Sequence, residues 1–534
     1  MNTMEMPTFD TLVWSAARQN PNGVAVVSQA GSETWSAFAW RVSQIAGALI
    51  KNGLEPGMHV CLLAGNSPAH LATTYAVWAA GAVLVPLNIR LSSSELGAIL
   101  SHVEAAALLF DAAHANTAHT IAAECQISRA LQIETLNDLR EPTPTGCLPS
   151  KPTILRFGED RDIAGIIYTG GTTGTPKGAM LTGRSFLRQA ENLLNIMRHD
   201  TMSVYLHTSP LFHLSGLTHT HGITLAAGTH VFPGSTKPDD VFASIADHGV
   251  NVLGLVPTYL ATLLENTSGH KAALQRIEHV GYGASPISEP LLRRAIRELP
   301  NASFHQVYGQ TEAGGSCLTL PSEAHRLEKS SRERLSMAGI ALPGFDVRIS
   351  GEDDRECIPG ETGEIVVRGE GVMARYWRDP ARTSEVLRNG WLRTGDMGRR
   401  DEDGYIAVVG RLKDLIITGG ENVYAGEVER VLEALPGVRS CAVVGVPDPY
   451  WGEAVHAFVV REPGARLTEP DIGQFCRSHI AAYKCPKRVW VGDKPLPLTG
   501  VGKIMKSKLR EQALALMTTA SAPTILSEPA ASTD

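Results

Sequence analysis

The stretch Tyr168-Thr169-Gly170-Gly171-Thr172-Thr173-Gly174-Thr175-Pro176-Lys177-Gly178 concentrates groups that can bind phosphate. From Gly170 to Gly178 stand four glycines, three threonines and one lysine. Glycines permit backbone angles that side chains forbid. Hydroxyls, peptide N–H groups and one ammonium on such a backbone make a cradle for phosphate oxygens. A plain glycine-rich surface turn is the competing reading, and a turn requires neither the threonines nor the lysine. Ala164-Gly165-Ile166-Ile167 precedes the stretch and reads as a buried strand. The common P-loop needs Gly, four residues, then Gly-Lys-Ser/Thr, with the last hydroxyl on magnesium. Here Pro176 precedes Lys177 and Gly178 follows it, which disfavours kinases and GTPases of that class.

Further stretches carry groups suited to chemistry. In chain order they are Pro210-Leu211-Phe212-His213, Gly283-Ala284-Ser285-Pro286 and Tyr308-Gly309-Gln310-Thr311-Glu312. Gly390-Trp391-Leu392-Arg393-Thr394-Gly395-Asp396, Gly410-Arg411-Leu412-Lys413-Asp414 and Gly419-Gly420-Glu421-Asn422 follow, and Pro497-Leu498-Thr499-Gly500-Val501-Gly502-Lys503 closes the series. A carboxylate such as Glu312 suits a hard cation, and a solvated surface acid is the plainer reading. Asp396 after Thr-Gly fits a turn, and Lys503 between glycines fits a solvated lysine. His207, His213, His219 and His221 cluster, but their spacing matches no standard zinc pattern. His219 and His221 alternate as they would along a strand.

The elements that must position these groups read as layered α/β. A chain of 534 residues exceeds one hydrophobic core, so at least two domains are expected. The net charge of −7 gives no footprint for nucleic acid. Eight scattered cysteines without a CxxC pair suit a reducing cytosol, and a cytoplasmic location is expected. Met1 to Asp10 is acidic without a long apolar core, so no signal peptide is expected. Leu71 to Leu87 is the most apolar run, but Thr73, Thr74, Gly81 and Pro86 make it a buried helix and strand, not a transmembrane segment.

Helical and strand patterns alternate at Phe9–Arg18, Val24–Val27, Phe38–Leu54, Val60–Leu63, Ala69–Ala80 and Val83–Val85. Residues 141–152 read as a surface connection. Strands are expected again at Thr229–Phe232 and Val252–Val256, and a helix at Pro290–Leu299. Residues 340–410 read as a small β-rich subdomain. A compact α+β domain follows, with helices at Glu427–Leu435 and Asp471–Tyr483 around strands at Cys441–Val446 and Val455–Val460. The expected domains are 1–410, a mobile 411–517 and a disordered tail at 518–534.

Together these stretches resemble the adenylate-forming superfamily: acyl-CoA synthetases, peptide-synthetase adenylation domains and firefly luciferase. The resemblance runs from about residue 8 to 515 and lies nearest the acyl-CoA synthetase branch. It implies that an acid attacks the α-phosphate of ATP, that pyrophosphate leaves, and that the acyl-AMP passes to coenzyme A. By resemblance, Thr169, Gly170, Gly171, Thr172, Thr173, Gly174 and Lys177 hold the leaving phosphates. Gly170 stands where the family has Ser, so one hydroxyl is absent. Glu312 would bind Mg²⁺, with Thr311 beside it. Gly283, Ala284 and Ser285 would face one side of the adenine, and Tyr308, Gly309 and Gln310 the other. Asp396 and Arg411 would hold the ribose. Lys413 matches the hinge, Gly419 and Gly420 would let the pantetheine arm pass, and Lys503 would be brought over the α-phosphate. His213 would stand at the gate of the acyl pocket and the thiol route, unless it is a plain core histidine. A homodimer is compatible with the resemblance.

Four readings compete. An acid–CoA ligase is favoured over a stand-alone enzyme that loads a carrier protein. A luciferase-like oxygenase has little support, and the chain ends Ala-Ser-Thr-Asp without a peroxisomal SKL signal. A non-catalytic nucleotide-binding module would not demand Lys503. Amino-acid-activating relatives place Asp where His213 stands, which disfavours an α-amino acid. The acid pocket is expected near His213–Leu217, Gly281–Gly283, Gly309 and Gly314–Cys317, without Arg or Lys. That disfavours a dicarboxylate and leaves an apolar acid: fatty, aromatic or ring-bearing. Tyr282 is expected to shorten this pocket and Gly309 to govern the size of acid admitted. Ile340-Ala341, where the family often has a basic residue and Pro, has no reading.

Overall fold

Short apolar runs form parallel strands, and longer ones form the helices that cover them. The computed structural model describes residues 9–137, 162–169, 177–327, 332–351, 353–498 and 504–520. Outside that set lie Gly170, Gly171, Thr172, Thr173, Gly174 and Lys503, the connection expected at 141–152, and the chain beyond residue 520. Contacts divide the chain into two units: residues 1–394 with 398–408, and residues 395–397 with 409–534.

In the first unit Ile163–Thr169 (β1) pairs antiparallel with Lys177–Thr182 (β2), Thr169 standing opposite Lys177. Thr182 caps the helix Gly183–Ile196 (α1), its hydroxyl accepting from the Ser185 amide at 3.0 Å. Val204–Leu206 (β3), Leu214–Leu225 (α2), Val252–Leu255 (β4), His279–Gly283 (β5) and Ser303–Tyr308 (β6) follow. Leu318–Leu320 (β7) and Arg375–Tyr376 (β8) come next. β8, β2 and β1 begin a seven-stranded sheet that continues through Val83–Pro86, His59–Leu63, Ala107–Phe110 and Ala130–Gln132. A nine-stranded sheet runs Ile340–Ala341, β7, β6, β5, β4, β3, Thr229–Val231, Val24–Ser28, Gly31–Thr34. Its neighbours from β6 to Val24–Ser28 are parallel, and the central strands β4 and β5 are buried on both faces, as parallel strands are. Ile340-Ala341 is thereby an edge strand on β7. A five-stranded sheet of Phe345–Ser350, Thr362–Gly369, Trp391–Arg400, Leu387–Arg388 and Ile406–Arg411 is the expected β-rich element.

The second unit is α+β. Leu415–Thr418 (β9) and Glu421–Tyr424 (β10) form a hairpin, followed by the helix Ala425–Glu433 (α3). Val438–Asp448 (β11) and Gly452–Arg461 (β12) form a long antiparallel pair, and Arg488–Gly492 adds parallel to β12. Gly419 (φ +59°) and Gly420 (φ +82°) make the two-residue turn between β9 and β10. Positive φ at both positions is the mirror-image turn that matches strand twist and that Gly-Gly supplies without strain.

Several boundaries shift for identifiable reasons. The helix expected at Phe38–Leu54 is Trp35–Lys51, because the Thr34 hydroxyl accepts from the Ala37 amide and starts it earlier. The one expected at Asp471–Tyr483 is Glu469–His479, started by a reciprocal Thr468–Asp471 cap. The last helix, Lys506–Ala520, runs past Thr518, where a tail was expected, because Ala513 to Met517 are strong helix formers. His219 and His221 lie on α2, not on a strand. This helix is buried at every position from Gly216 to Thr224, so it carries no apolar stripe to reveal its period.

The described cysteines, Cys61, Cys125, Cys317, Cys357, Cys441, Cys476 and Cys485, are free thiols. All but Cys125 are buried. Histidines are also core residues here. The Tyr75 hydroxyl donates to Thr224 Oγ1 at 2.7 Å and meets His221 Nδ1 at 3.0 Å. Thr224 Oγ1 donates to the Thr220 carbonyl and lies 3.1 Å from His230 Nε2, whose Nδ1 is 3.0 Å from His207 Nε2. With the Tyr75 and Thr224 protons so used, protons sit on His221 Nδ1, His230 Nε2 and His207 Nε2. The chain is ordered only while the rings are neutral.

Burial lowers the pKa of His70 and His219 to about 4, and of His221 and His230 to about 3. The unfolded chain therefore binds protons below about pH 6.5 that the folded chain refuses, and stability falls with pH by up to about 1.4 kcal/mol per unit for each ring. We expect urea midpoints to drop steeply from pH 6.5 to pH 4.5; a flat profile there would show the rings to be solvated. In the hairpin turn, Gly420→Asn should be tolerated while Gly420→Ala costs about 1 kcal/mol, because Asn accepts positive φ more readily. Equal urea midpoints for the two variants would rule out that turn.

Candidate active site

The site is built where β1, β2 and β8 meet the end of β6. Thr169 and Lys177 stand opposite each other at the ends of β1 and β2. Tyr376 on β8 pairs with Ala179 of β2, which brings its ring within 5.6 Å of Lys177 Nζ. The Tyr376 hydroxyl donates to Glu312 Oε1 at 2.7 Å. Burial first, and the Glu312 carboxylate second, push the Tyr376 phenol up, so it stays a donor. Glu312 lies in a short turn, Thr311–Ala313, after β6. Its backbone carbonyl accepts from the Met373 amide at 2.8 Å, so Glu312 is fixed at both ends by the segment that becomes β8.

The loop after β6 is held by close backbone approach. The Cys317 amide donates to the Tyr308 carbonyl at 2.8 Å, and the Gly315 amide to the Gln310 carbonyl at 3.1 Å. A Cβ on Gly309 would lie 1.9 Å from the Gly315 carbonyl oxygen. Gly309 therefore serves the backbone: any side chain there displaces the loop, which replaces the expectation that it tunes acid size. From α1, Gln189 donates to the Ser316 carbonyl at 2.8 Å and accepts from the Ser316 amide at 3.1 Å. Ser185 donates to the Gly371 carbonyl at 2.6 Å. On the neighbouring strand, Gly283 ends β5 opposite Val307, where a Cβ would lie 2.3 Å from the Val307 carbonyl oxygen. Ala284 follows with φ +66°, an unusual conformation for a residue with a side chain. Ser285 is half-buried, as is Tyr308.

His213 caps α2: its Nδ1 accepts from the Ser215 amide at 3.2 Å and lies 2.9 Å from the Ser215 hydroxyl. The segment before it is clamped by Asn66, whose side chain donates to the Ser209 carbonyl at 2.7 Å and accepts from the Leu211 amide at 2.8 Å. One turn and a half further along α2, the His219 ring covers two glycines. Gly254 and Gly281 are neighbours on β4 and β5. A Cβ on Gly254 would meet His219 Cδ2 at 2.8 Å, and one on Gly281 would meet Cε1 at 2.6 Å. Tyr282, expected to shorten the acid pocket, points to the other face of the sheet. There its hydroxyl meets His325 Nε2 at 2.9 Å, among Val280, Leu292 and Phe304. Strand alternation puts Gly281 and Gly283 on one face and Tyr282 on the other.

In the second unit Arg411 Nε lies 3.0 Å from Asp396 Oδ1, and Asp396 is buried. Lys413 is exposed in the turn Leu412–Asp414, and Gly419 and Gly420 form the hairpin turn. Among the described residues no three His, Cys, Asp or Glu side chains converge as metal ligands. The first unit thus brings together Thr169, Lys177, Thr311, Glu312 and the ends of β5 and β6. Asp396, Arg411, Lys413, Gly419 and Gly420 belong to the second. Tyr376, Asn66 and Gln189 had no sequence signal, because each acts through a partner distant in the chain, and His219 stood out only as one of a histidine cluster.

Two family profiles match the sequence: that of the AMP-binding enzyme over residues 13–377, and that of its C-terminal domain over 427–503. The chain is similar to a feruloyl-CoA synthase of Amycolatopsis, 37% identical over 93% of this chain and 97% of the relative. An indoleacetate–CoA ligase of Aromatoleum aromaticum is 34% identical over 90% of this chain and 92% of its own length. The ATP-bound structure of MatB from Rhodopseudomonas palustris superposes with a TM-score of 0.84 at 29% identity, covering 95% of this chain and 99% of that one. The chain therefore belongs to the AMP-binding enzyme family, the adenylate-forming superfamily that its motifs resemble.

Proposed function

We propose that the acid activated by this AMP-forming acid–CoA ligase is apolar and ring-bearing, and short enough to stop at the His219 ring that covers Gly254 and Gly281. The observation that carries this reading is the His219 ring of α2 packed over Gly254 and Gly281, which takes up the space those glycines leave and limits the depth open to an acid. His213 to Leu217, Gly281 to Gly283 and Gly314 to Cys317 add no lysine or arginine for a second carboxylate. The names of the feruloyl- and indoleacetate-activating relatives point the same way, and they favour CoA over a carrier protein as acceptor. The free thiols fit a reducing, cytoplasmic setting, and no described helix is long and apolar enough to cross a membrane.

The donor chemistry fits Mg²⁺ and ATP. Glu312 offers carboxylate oxygen to a hard cation, and Tyr376 fixes its orientation. Lys177 supplies positive charge where leaving phosphates would accumulate negative charge, beside Thr169. Mg²⁺, when bound, would neutralise the phosphates. Tyr308 and the Gly283–Ser285 segment are the surfaces for adenine, Asp396 and Arg411 for the ribose, and Gly419-Gly420 for the pantetheine arm. Lys503 is assigned to the adenylation step from its position in the sequence motif. His213, with Nδ1 capped by Ser215, presents Nε2–H when neutral, at the entrance to the acid pocket.

With an aryl acid, ATP, Mg²⁺ and CoA, mass spectrometry should find the acyl-CoA and AMP. ADP as the product would sink the adenylation chemistry, and activity confined to long-chain or dicarboxylic acids would sink the acid class. Tyr376→Phe should raise the Mg²⁺ concentration for half-maximal pyrophosphate release by about 10-fold, since it frees the orientation of Glu312. An unchanged Mg²⁺ dependence would remove Glu312 from the metal. Lys503→Ala should slow acyl-AMP formation by about 10²–10³ while supplied acyl-AMP and CoA still give thioester. Equal loss of both half-reactions in single-turnover runs would show that the lysine acts elsewhere.

A further inference from the structure

On and beside the ring that covers Gly254 and Gly281 lie two buried polar atoms without hydrogen-bond partners among the described residues. His219 is buried, and its Nδ1 has no hydrogen-bond partner among the described residues. Tyr205, on β3, is fully buried, and its hydroxyl also lacks a partner among them. The two rings stack, with centroids 5.6 Å apart and planes at 14°. One edge of the His219 ring faces Gly254 and Gly281. Burial holds this ring neutral, with a pKa near 4, so it carries one donor and one acceptor nitrogen at neutral pH. Buried polar groups without partners are uncommon and cost stability. Their neighbours Tyr75, His221, His230 and Thr224 are joined in hydrogen bonds of 2.7 to 3.1 Å, and His221 Nε2 and His207 Nδ1 are likewise without partners among the described residues.

The position of the pair relative to the entrance sets the shape of the occupant. His213 caps α2 and His219 lies six residues later, which is about 9 Å along a helix axis. A ring with a short linker to its carboxylate spans that distance, and a long alkyl chain overruns it. We propose that His219 and Tyr205 read a hydroxyl at the end of the acid remote from the carboxylate, so that the substrate is a hydroxyl-bearing aryl acid and His219 is the stop that excludes longer acids. This rests on the reading of an aryl-acid–CoA ligase given above. A hydroxyl both donates and accepts, so it can meet an imidazole nitrogen and a phenol together. An unsubstituted ring would leave both atoms bare, and a site built for hydrogen bonding rejects such an analogue strongly.

The test is a matched pair of acids, 4-hydroxycinnamate and cinnamate, with kcat/KM measured by pyrophosphate release in the full-length protein. The wild type should prefer the hydroxylated acid by at least about 10-fold. Tyr205→Phe, which keeps the stacked ring, and His219→Leu should each cut that preference to about two-fold or less. They should do so by slowing the hydroxylated acid and leaving cinnamate nearly unchanged. His219→Ala should in addition admit dodecanoate. Tyr205→Phe removes one oxygen only, so it carries the test if the His219 variants unfold. Equal use of both acids by the wild type would overturn this inference alone, and so would a preference kept in Tyr205→Phe and His219→Leu alike. Equal losses on both acids would make the pair structural. A wild type that turns over no aryl acid would overturn the proposed function along with it.

Discussion

Glu312 is held at both ends by one short segment, and the first unit's site depends on that grip. The Met373 amide takes its carbonyl and the Tyr376 hydroxyl takes its carboxylate. The same segment pairs with β2, which carries Lys177. Lysine and carboxylate are therefore set relative to each other through one antiparallel ladder. A slip of one residue would turn Tyr376 to the opposite face and release Glu312. The helix that continues β2 tightens the arrangement, because Ser185 and Gln189 reach the backbone on both sides of the site, at Gly371 and Ser316.

The sequence was most legible where one residue type performs a local task. The strand before the glycine-rich stretch and the β-rich element at 340–410 each follow from short-range chemistry, whereas the Gly-Gly pair was read as a passage for the pantetheine arm and is a hairpin turn. Helix starts were missed where a cap rather than an apolar position sets the boundary, as at Thr34 and Thr468. Parity failed on α2: His219 and His221 are two apart, which reads as a strand when every neighbour is buried. Tyr282 was assigned to the pocket by its neighbours in sequence, yet consecutive strand residues face opposite ways. Gly309 was read as empty space for a ligand, whereas a backbone carbonyl already occupies that space. Glycine in a sequence reports that something approaches closely, without saying whether it is substrate or chain.

Histidine behaves here in a way that its type does not announce. On a surface it titrates near neutrality and serves as acid, base or ligand. Within this core, burial strips that capacity and leaves a flat, neutral ring with two distinguishable nitrogens. His207, His221 and His230 use theirs to order a buried chain from Thr224 outward. Only the folded packing separates them from His213, which sits at a helix start and is half-buried.

The described free thiols fall in three of the hydrophobic cores. Cys61 and Cys125 belong to the packing around the seven-stranded sheet, Cys317 and Cys357 to the largest cluster, and Cys441, Cys476 and Cys485 to the core of the second unit. Burial pushes the Cys61 and Cys441 thiols far above their usual range, so they are unreactive while their surroundings stay closed. These three cores thus carry their own intrinsic labels. Alkylation followed by peptide mapping would time the opening of the cores separately, without introducing a foreign probe.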